Sequence, residues 1–333
     1  MQFFLPDSDD RVNPGYDFTC DRPSPDRVDP YTDDVYAHEI FDSPPFDGIL
    51  VSKSVIEKNL KKKGKVLQSG IHAYLRLPKN IPVIGDCGAF SYVDAKVPPY
   101  QTDETVQFYQ DLGCNYGVSI DHLIVPSVLK RKRYRMLSPS GDAEEIDETE
   151  AITVQESGIR IASGQEDPDL FRTEHVLEIT EEYDPAEAQR RWDLTLENAQ
   201  AFIETHKRLR CTFEPIAACQ GWDVDSQTEM FAEQQAMGYG YIALGGLIRS
   251  KTEQIIELLE KVQTVRRPET KVHLFGVARP EALQEFKRLG VNSVDSARFL
   301  RHAWQSAKSN YYVCNGTTEP GERLKTYAAI RVP

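Results

Sequence analysis

The chain lacks paired cysteines. Its six, Cys20, Cys87, Cys114, Cys211, Cys219 and Cys314, are scattered over 333 residues, and none falls in a CxxC or CxC pair. That spacing argues against both a disulfide framework and a compact zinc site. Long hydrophobic runs are missing too. None approaches the roughly 18 residues that a membrane span needs, and Met1 to Pro6 is too short for a secretory signal. These absences predict a cytoplasmic protein with no membrane partner. Positive charge is in deficit: 39 Lys and Arg face 52 Asp and Glu, for a net charge of −13. The surface as a whole repels a polyanion, so a nucleic-acid partner has to be held by local basic patches. A GxGxxG turn after the first strand is also missing, which disfavours an open dinucleotide-binding sheet.

What the chain has instead is a repeated unit: a short apolar run, an acidic or amide end, a loop and an amphipathic helix. The runs are GILVS (Gly48 to Ser52), IPVIGD ending at Asp86, YGVSID ending at Asp121, and PIAACQG ending at Gln220 and Gly221. Three more follow: Tyr239 to Leu244 before Gly245 and Gly246, Val272 to Phe275, and VNSVDSA presenting Asp295. Helices are expected between them. One carries Val106, Tyr109 and Leu112 and stops at Gly113; another is capped by Asp184, with Trp192, Leu196, Ala199 and Ile203 on one face. Strands alternating with helices in this way mean a parallel sheet, and roughly eight units close as a (β/α)₈ TIM barrel whose strand ends point into its mouth. The fold class expected is therefore α/β, with a small β insertion after the strand that ends at Asp121.

The domain reading follows from composition. Residues 1–47, dense in Asp, Pro and Tyr, are expected to wrap irregularly over a folded surface. The barrel takes residues 48–310, interrupted by the insertion at about 130–183, and residues 311–333 form a C-terminal extension. Two basic runs stand out. Lys61, Lys62, Lys63 and Lys65 read either as a solvated helix face or as a phosphate contact. KRKRYR, with Lys130, Arg131, Lys132, Arg133 and Arg135, reads either as a charged segment neutralised by the acids after it or as a nucleic-acid contact.

On parallel neighbouring strands, three acids and an amide converge. A single strand-end Asp often only caps the next helix. Asp86 is followed by Cys87, Gly88, Ala89 and Phe90, small residues that let a planar ligand approach the backbone beside an aromatic surface. Gly245 and Gly246 read equally as a phosphate cradle. Two carboxylates across a pocket suit cleavage at an anomeric carbon, where one attacks or stabilises C1′ and the other handles the leaving group's proton. A third acid with an amide suits the edge of a purine in a dry pocket.

The order GDCGAF, SIDH, ACQGW, GYGYIALGGL, HLFGVARPEAL, VDSARF, over about residues 80–304, resembles the tRNA-guanine transglycosylases. Those are barrel enzymes that exchange guanine for a deazaguanine through a covalent glycosyl-enzyme. The resemblance implies Asp295 as nucleophile, Asp86 as general acid/base, and Asp121 with Gln220 as purine-binding residues. It also implies Gly245 and Gly246 as a backbone floor and Phe275 as a cover over the base. Cys87 stands where the family has a serine that helps to hold the base. The family's CxCxxC…H zinc site has only Cys314 here, so no zinc or other cofactor is expected. FFLPDSDDRVNP, YAHEIFDSPPFDGILVSK and YAAIRVP resemble the DNA-acting branch, which inserts 7-cyano-7-deazaguanine within a modification and restriction system. The partners this implies are DNA, a free 7-deazaguanine base and a partner ATPase. The same exchange on tRNA, and a non-catalytic nucleic-acid-binding paralogue, are the alternatives.

Overall fold

The computed structural model describes residues 1–7, 9, 11–17, 19–138, 140, 142–156, 160–162, 176–298, 300–301, 311–314 and 327–330. The chain divides into two compact units, Met1–Leu123 with Arg191–Pro333, and Ile124–Arg190.

The first unit is built on eight strands: β1 (Gln2–Pro6), β2 (Gly48–Ser52), β3 (Val83–Asp86), β4 (Tyr116–Val118), β5 (Glu214–Cys219), β6 (Tyr241–Leu244), β7 (Lys271–Leu274) and β8 (Ser293–Asp295). Each pairs in parallel with its neighbour in sequence, and β1 also pairs with β8, with Phe4 level with both Gly48 and Asp295. The result is the closed (β/α)₈ barrel that the alternation predicts.

The first strand corrects the sequence reading. Gln2–Pro6 is not part of an irregular wrap but closes the barrel between β8 and β2. Its Phe4 is fully buried in the barrel interior with Leu50, Ile84, Val118, Ile216, Ala218, Tyr241 and Ala243. Gly48 makes room for it, since a Cβ there would stand 2.2 Å from the Phe4 ring. The acids and turn residues just after Pro6 conceal a five-residue strand whose burial comes from closure, not from local pattern.

The outer layer forms for the expected reasons. Helix Thr102–Leu112 buries Val106, Phe108, Tyr109 and Leu112 and ends at Gly113 in the left-handed region, φ 74°. Helix Val224–Met237 is capped by Asp223, whose carboxylate accepts from the Ser226 N–H, and Thr252–Gln263 buries Ile255, Leu258, Leu259 and Val262. Among the described residues, no helix is long and apolar enough to cross a membrane.

Both readings of Lys62 fail. It is fully buried, and its ammonium donates to Asp7 at 2.7 Å and Asp9 at 2.9 Å, fastening the turn after β1. Lys63 and Lys65 reach Glu57 and Asp29.

The second unit carries the predicted β insertion as a four-stranded sheet in the order Ala143–Ile146, Lys130–Leu137, Val176–Tyr183, Arg160–Ala162. Strand Ala143–Ile146 ends at Ile146. Asp147 then caps a helix, Glu148–Glu156, by accepting from the Glu150 N–H. KRKRYR lies in the strand Lys130–Leu137, antiparallel to VLEITEEY, with Lys132 level with Glu181. Lys130 pairs with Glu181, Arg131 with Glu182, Arg133 with Glu145 and Glu182, and Arg135 with Glu178. Its charge is thus largely neutralised within the unit. Of the C-terminal extension, only the antiparallel strands Tyr311–Cys314 and Tyr327–Ile330 are described; the remainder lies outside the described residues.

Candidate active site

Because all eight strands run the same way, their C-terminal ends share one face. A cavity of about 740 Å³ opens there, lined by Asp86, Asp121, Gln220, Gly245, Phe275 and Asp295, with Gly246 beside them. Every strand-end residue picked out as chemistry-bearing lines it, except Cys87.

Asp295 ends β8. Its Oδ1 accepts from the Gly276 N–H at 2.9 Å and from His273 Nε2 at 3.0 Å, and the residue is 6% exposed. No protein donor is placed on Oδ2 among the described residues, so the carboxylate is held by one oxygen.

Asp86 ends β3 across the cavity, level with Ser52. Burial, and then the negative charges of Asp121 and Asp295, push its carboxyl up to about 7. The Gly88 N–H, donating to Oδ2 at 2.9 Å, pulls the other way. A carboxyl poised near neutrality can give up a proton and take one back, the requirement for a general acid that becomes a base.

Asp121 lies three residues past β4 and is 4% exposed. Gln220 Nε2 donates to its Oδ2 at 2.7 Å and the Cys87 thiol to its Oδ1 at 3.2 Å. Burial raises its pKa, against these two bonds. Cys87 is fully buried behind Asp121, receiving the Tyr92 hydroxyl at 2.9 Å while that hydroxyl also lies 3.1 Å from the Asp121 carbonyl. Burial and the charges of Asp121 and Asp86 push the thiol well above its usual range, so it is a donor rather than a nucleophile. It supports Asp121 from outside the cavity.

The remaining Gln220 oxygen, Oε1, is buried and has no hydrogen-bond partner among the described residues. A buried acceptor left unpaired costs about 1–3 kcal/mol. The Asp121 carboxylate, held by Gln220, presents acceptors to a molecule with N–H groups in the cavity. Gly245 packs against this amide: its N–H donates to the Cys219 carbonyl, its carbonyl accepts from Gln227, and a Cβ there would lie 2.2 Å from Gln220 Nε2. Its backbone groups therefore support the Gln220 loop. Phe275 lies edge-on to His273, ring centroids 4.9 Å apart.

The sequence reading missed two sets of residues. Beneath Asp295, His273, Ser293 and Tyr241 form a buried chain. Around the mouth, Arg249, Arg298 and Arg301 are exposed and make no ion pair among the described residues, while Arg279 is tied to Thr252 and Ser250. Arg298 and Arg301 follow Asp295 by three and six residues, a spacing that puts them on one side of a helical turn and was open to notice.

The family described as "TGT: Queuine tRNA-ribosyltransferase" matches residues 137–316. A protein of Salmonella montevideo named DNA-guanine transglycosylase is 34% identical over 341 residues, an alignment that covers 100% of this chain and 68% of that protein. It extends over the segments that carry Asp86 and Asp121, which lie outside the family match. With a closed eight-stranded barrel and a cavity at the strand ends lined by Asp86, Asp121 and Asp295, the chain belongs to the TGT family and is a transglycosylase.

Proposed function

We infer that the protein exchanges guanine in DNA for a free 7-deazaguanine, 7-cyano-7-deazaguanine in the first instance, through a covalent glycosyl-Asp295 intermediate. The observation that carries this reading is the pairing, across one cavity, of a carboxylate held by a single oxygen with a carboxyl poised near neutrality. Asp295 Oδ2 attacks C1′ of the deoxyribose. The C1′–N9 bond breaks, its electron pair leaves with guanine, and Asp86 supplies a proton to the departing base. The incoming base then gives its N9 proton to Asp86 and attacks C1′, and the Asp295 carboxylate leaves. Two displacements retain configuration, and the proton account closes on Asp86. The Asp121 carboxylate, held in place by Gln220, suits the N1–H and exocyclic amine that guanine and its 7-deaza analogue share. The target base has to leave the stack, at a cost of roughly a few kcal/mol, and a partner ATPase that opens the duplex belongs to the same proposal.

DNA as the polymer is supported by the name of the Salmonella relative, while the description of the family favours tRNA. The deciding experiment incubates the protein with radiolabelled guanine and then 7-cyano-7-deazaguanine, in separate arms with duplex DNA, single-stranded DNA and tRNA. Label in DNA alone is the expected result, and label in tRNA alone overturns the choice of polymer. Label in single-stranded but not duplex DNA identifies opening as the step that needs a partner.

Two substitutions test the parts. Gly245→Ala forces Gln220 off Asp121, so affinity for free guanine, measured calorimetrically, is expected to fall on the order of tenfold through the lost charge-assisted bond, and the melting temperature to fall by a few degrees because the buried amide loses its partner. Replacing Arg298 or Arg301 by Ala is expected to weaken DNA binding equally on all sequences and to lower the slope of log K against log salt by about 1 for each phosphate contact removed. An unchanged slope removes these arginines from the interface.

A further inference from the structure

Asp295 sits at the end of a buried chain of polar groups in the barrel interior. His273 on β7 is level with Ser293 on β8, and both are fully buried. His273 Nε2 lies 3.0 Å from Asp295 Oδ1, its Nδ1 lies 2.6 Å from Ser293 Oγ, and Ser293 Oγ lies 2.5 Å from the hydroxyl of Tyr241 on β6, itself 2% exposed. The imidazole is wedged edge-on between Phe4, with ring centroids 6.2 Å apart, and Phe275, at 4.9 Å. Inward positions of a barrel are normally filled by branched aliphatic side chains, so three linked polar groups there need a reason.

The end of the chain sets its direction. A carboxylate only accepts, so the proton between His273 and Asp295 is on Nε2. In the neutral ring Nδ1 is then bare and accepts from the Ser293 hydroxyl, which in turn accepts from Tyr241. Burial holds the Tyr241 hydroxyl far above its ordinary pKa, in keeping with its place as the terminal donor. Each donor polarises the next toward Asp295.

We propose that His273 is a positioning residue for the transglycosylase reaction, and that Ser293 and Tyr241 act through it. The chain holds Asp295 Oδ1, leaves Oδ2 facing C1′, and steadies the negative charge that returns to the carboxylate when the incoming base displaces it. This rests on the proposed role of Asp295 as nucleophile. The Gly276 N–H, which also donates to Oδ1, remains in every variant, so the effect of breaking the chain is partial.

The test compares His273→Leu, His273→Gln, Ser293→Ala and Asp295→Ala in the full-length chain. Base exchange is followed for kcat and KM, and denatured samples are analysed by mass spectrometry for the glycosyl adduct. Loss of a hydrogen bond to a charged group predicts a fall in kcat for His273→Leu on the order of 10- to 100-fold, with KM for the base unchanged. Gln carries an amide donor near the Nε2 position, so His273→Gln is expected to recover most of that loss. Ser293→Ala, which frees the ring to turn, is expected to lose about threefold to tenfold. Wild-type kcat in His273→Leu, with Asp295→Ala inactive, overturns the inference and leaves the nucleophile standing. Equal losses in His273→Leu and His273→Gln, with a lowered melting temperature in both, reduce His273 to a packing residue and overturn it as well. Activity retained by Asp295→Ala overturns the nucleophile, and the inference with it.

Discussion

Asp295→Asn is expected to abolish both the covalent adduct and base exchange, with a loss in kcat on the order of 10⁴-fold or more, as for other nucleophiles removed from double-displacement enzymes. The geometry makes this a chemical loss. His273 and Gly276 both donate to Oδ1, which an asparagine retains, so the side chain stays in place with an amide nitrogen where Oδ2 stood. That nitrogen is a donor with no lone pair to offer C1′. The fold should hold and even gain, because one of three mutually repelling carboxyls is gone. For the same reason the Asp86 pKa should fall, since the Asp295 charge helps to raise it. The readout is mass spectrometry of acid-quenched enzyme with DNA, alongside a thermal melt. An adduct of wild-type mass and yield in a well-folded Asp295→Asn protein would move the nucleophile to another residue.

The site was legible in the sequence to the extent that it lies at strand ends. Asp86, Asp121, Gln220 and Asp295 each close an apolar run, and a parallel barrel leaves such positions one place to go. What lay under and around them was harder to read. His273 sits within VHLF, which reads as core; only period-2 alternation with Phe275 puts it on the inward face, and its bond to Asp295 depends on the β7 to β8 register. Cys87 was placed against the ligand because it stands where the resembling family has a base-holding serine, yet it is fully buried and donates to Asp121. Lys62 was hidden in a run of lysines, where nothing local marks the one that meets Asp7 and Asp9 across 55 and 53 residues of chain. Strand β1 was hidden by the acids after it. In each case the deciding contact is long-range, and pattern along the chain carries no information about it.

Asp86→Asn is expected to slow adduct formation by about 10²- to 10⁴-fold, the usual worth of a positioned general acid, and to erase a pH dependence that the wild type shows. With its carboxyl pushed up to about 7, Asp86 still carries its proton over the range in which an exposed aspartate has lost it. In a single turnover, adduct formation needs that proton, so its rate should be level below about pH 6 and fall tenfold per unit above about 7. Resolution of the adduct needs the unprotonated form and should show the opposite limb, giving full exchange a maximum near neutrality. Stability runs with the same proton. Between the ordinary aspartate value and about 7 the folded chain holds a proton that the unfolded chain has released, so raising pH through this window destabilises the fold and leaves it at a lower plateau above. Asp86→Asn, which cannot ionise, should melt higher than the wild type at pH 8, and the difference should close as pH falls toward 4. Wild-type adduct formation that stays flat from pH 5 to 9 would deny Asp86 its role as acid. A descending limb that persists in Asp86→Asn would assign the titration to Asp121, the other buried carboxyl whose pKa is raised, and would make the acid proposed to bind the purine, not the proposed proton donor, the group that sets the working pH.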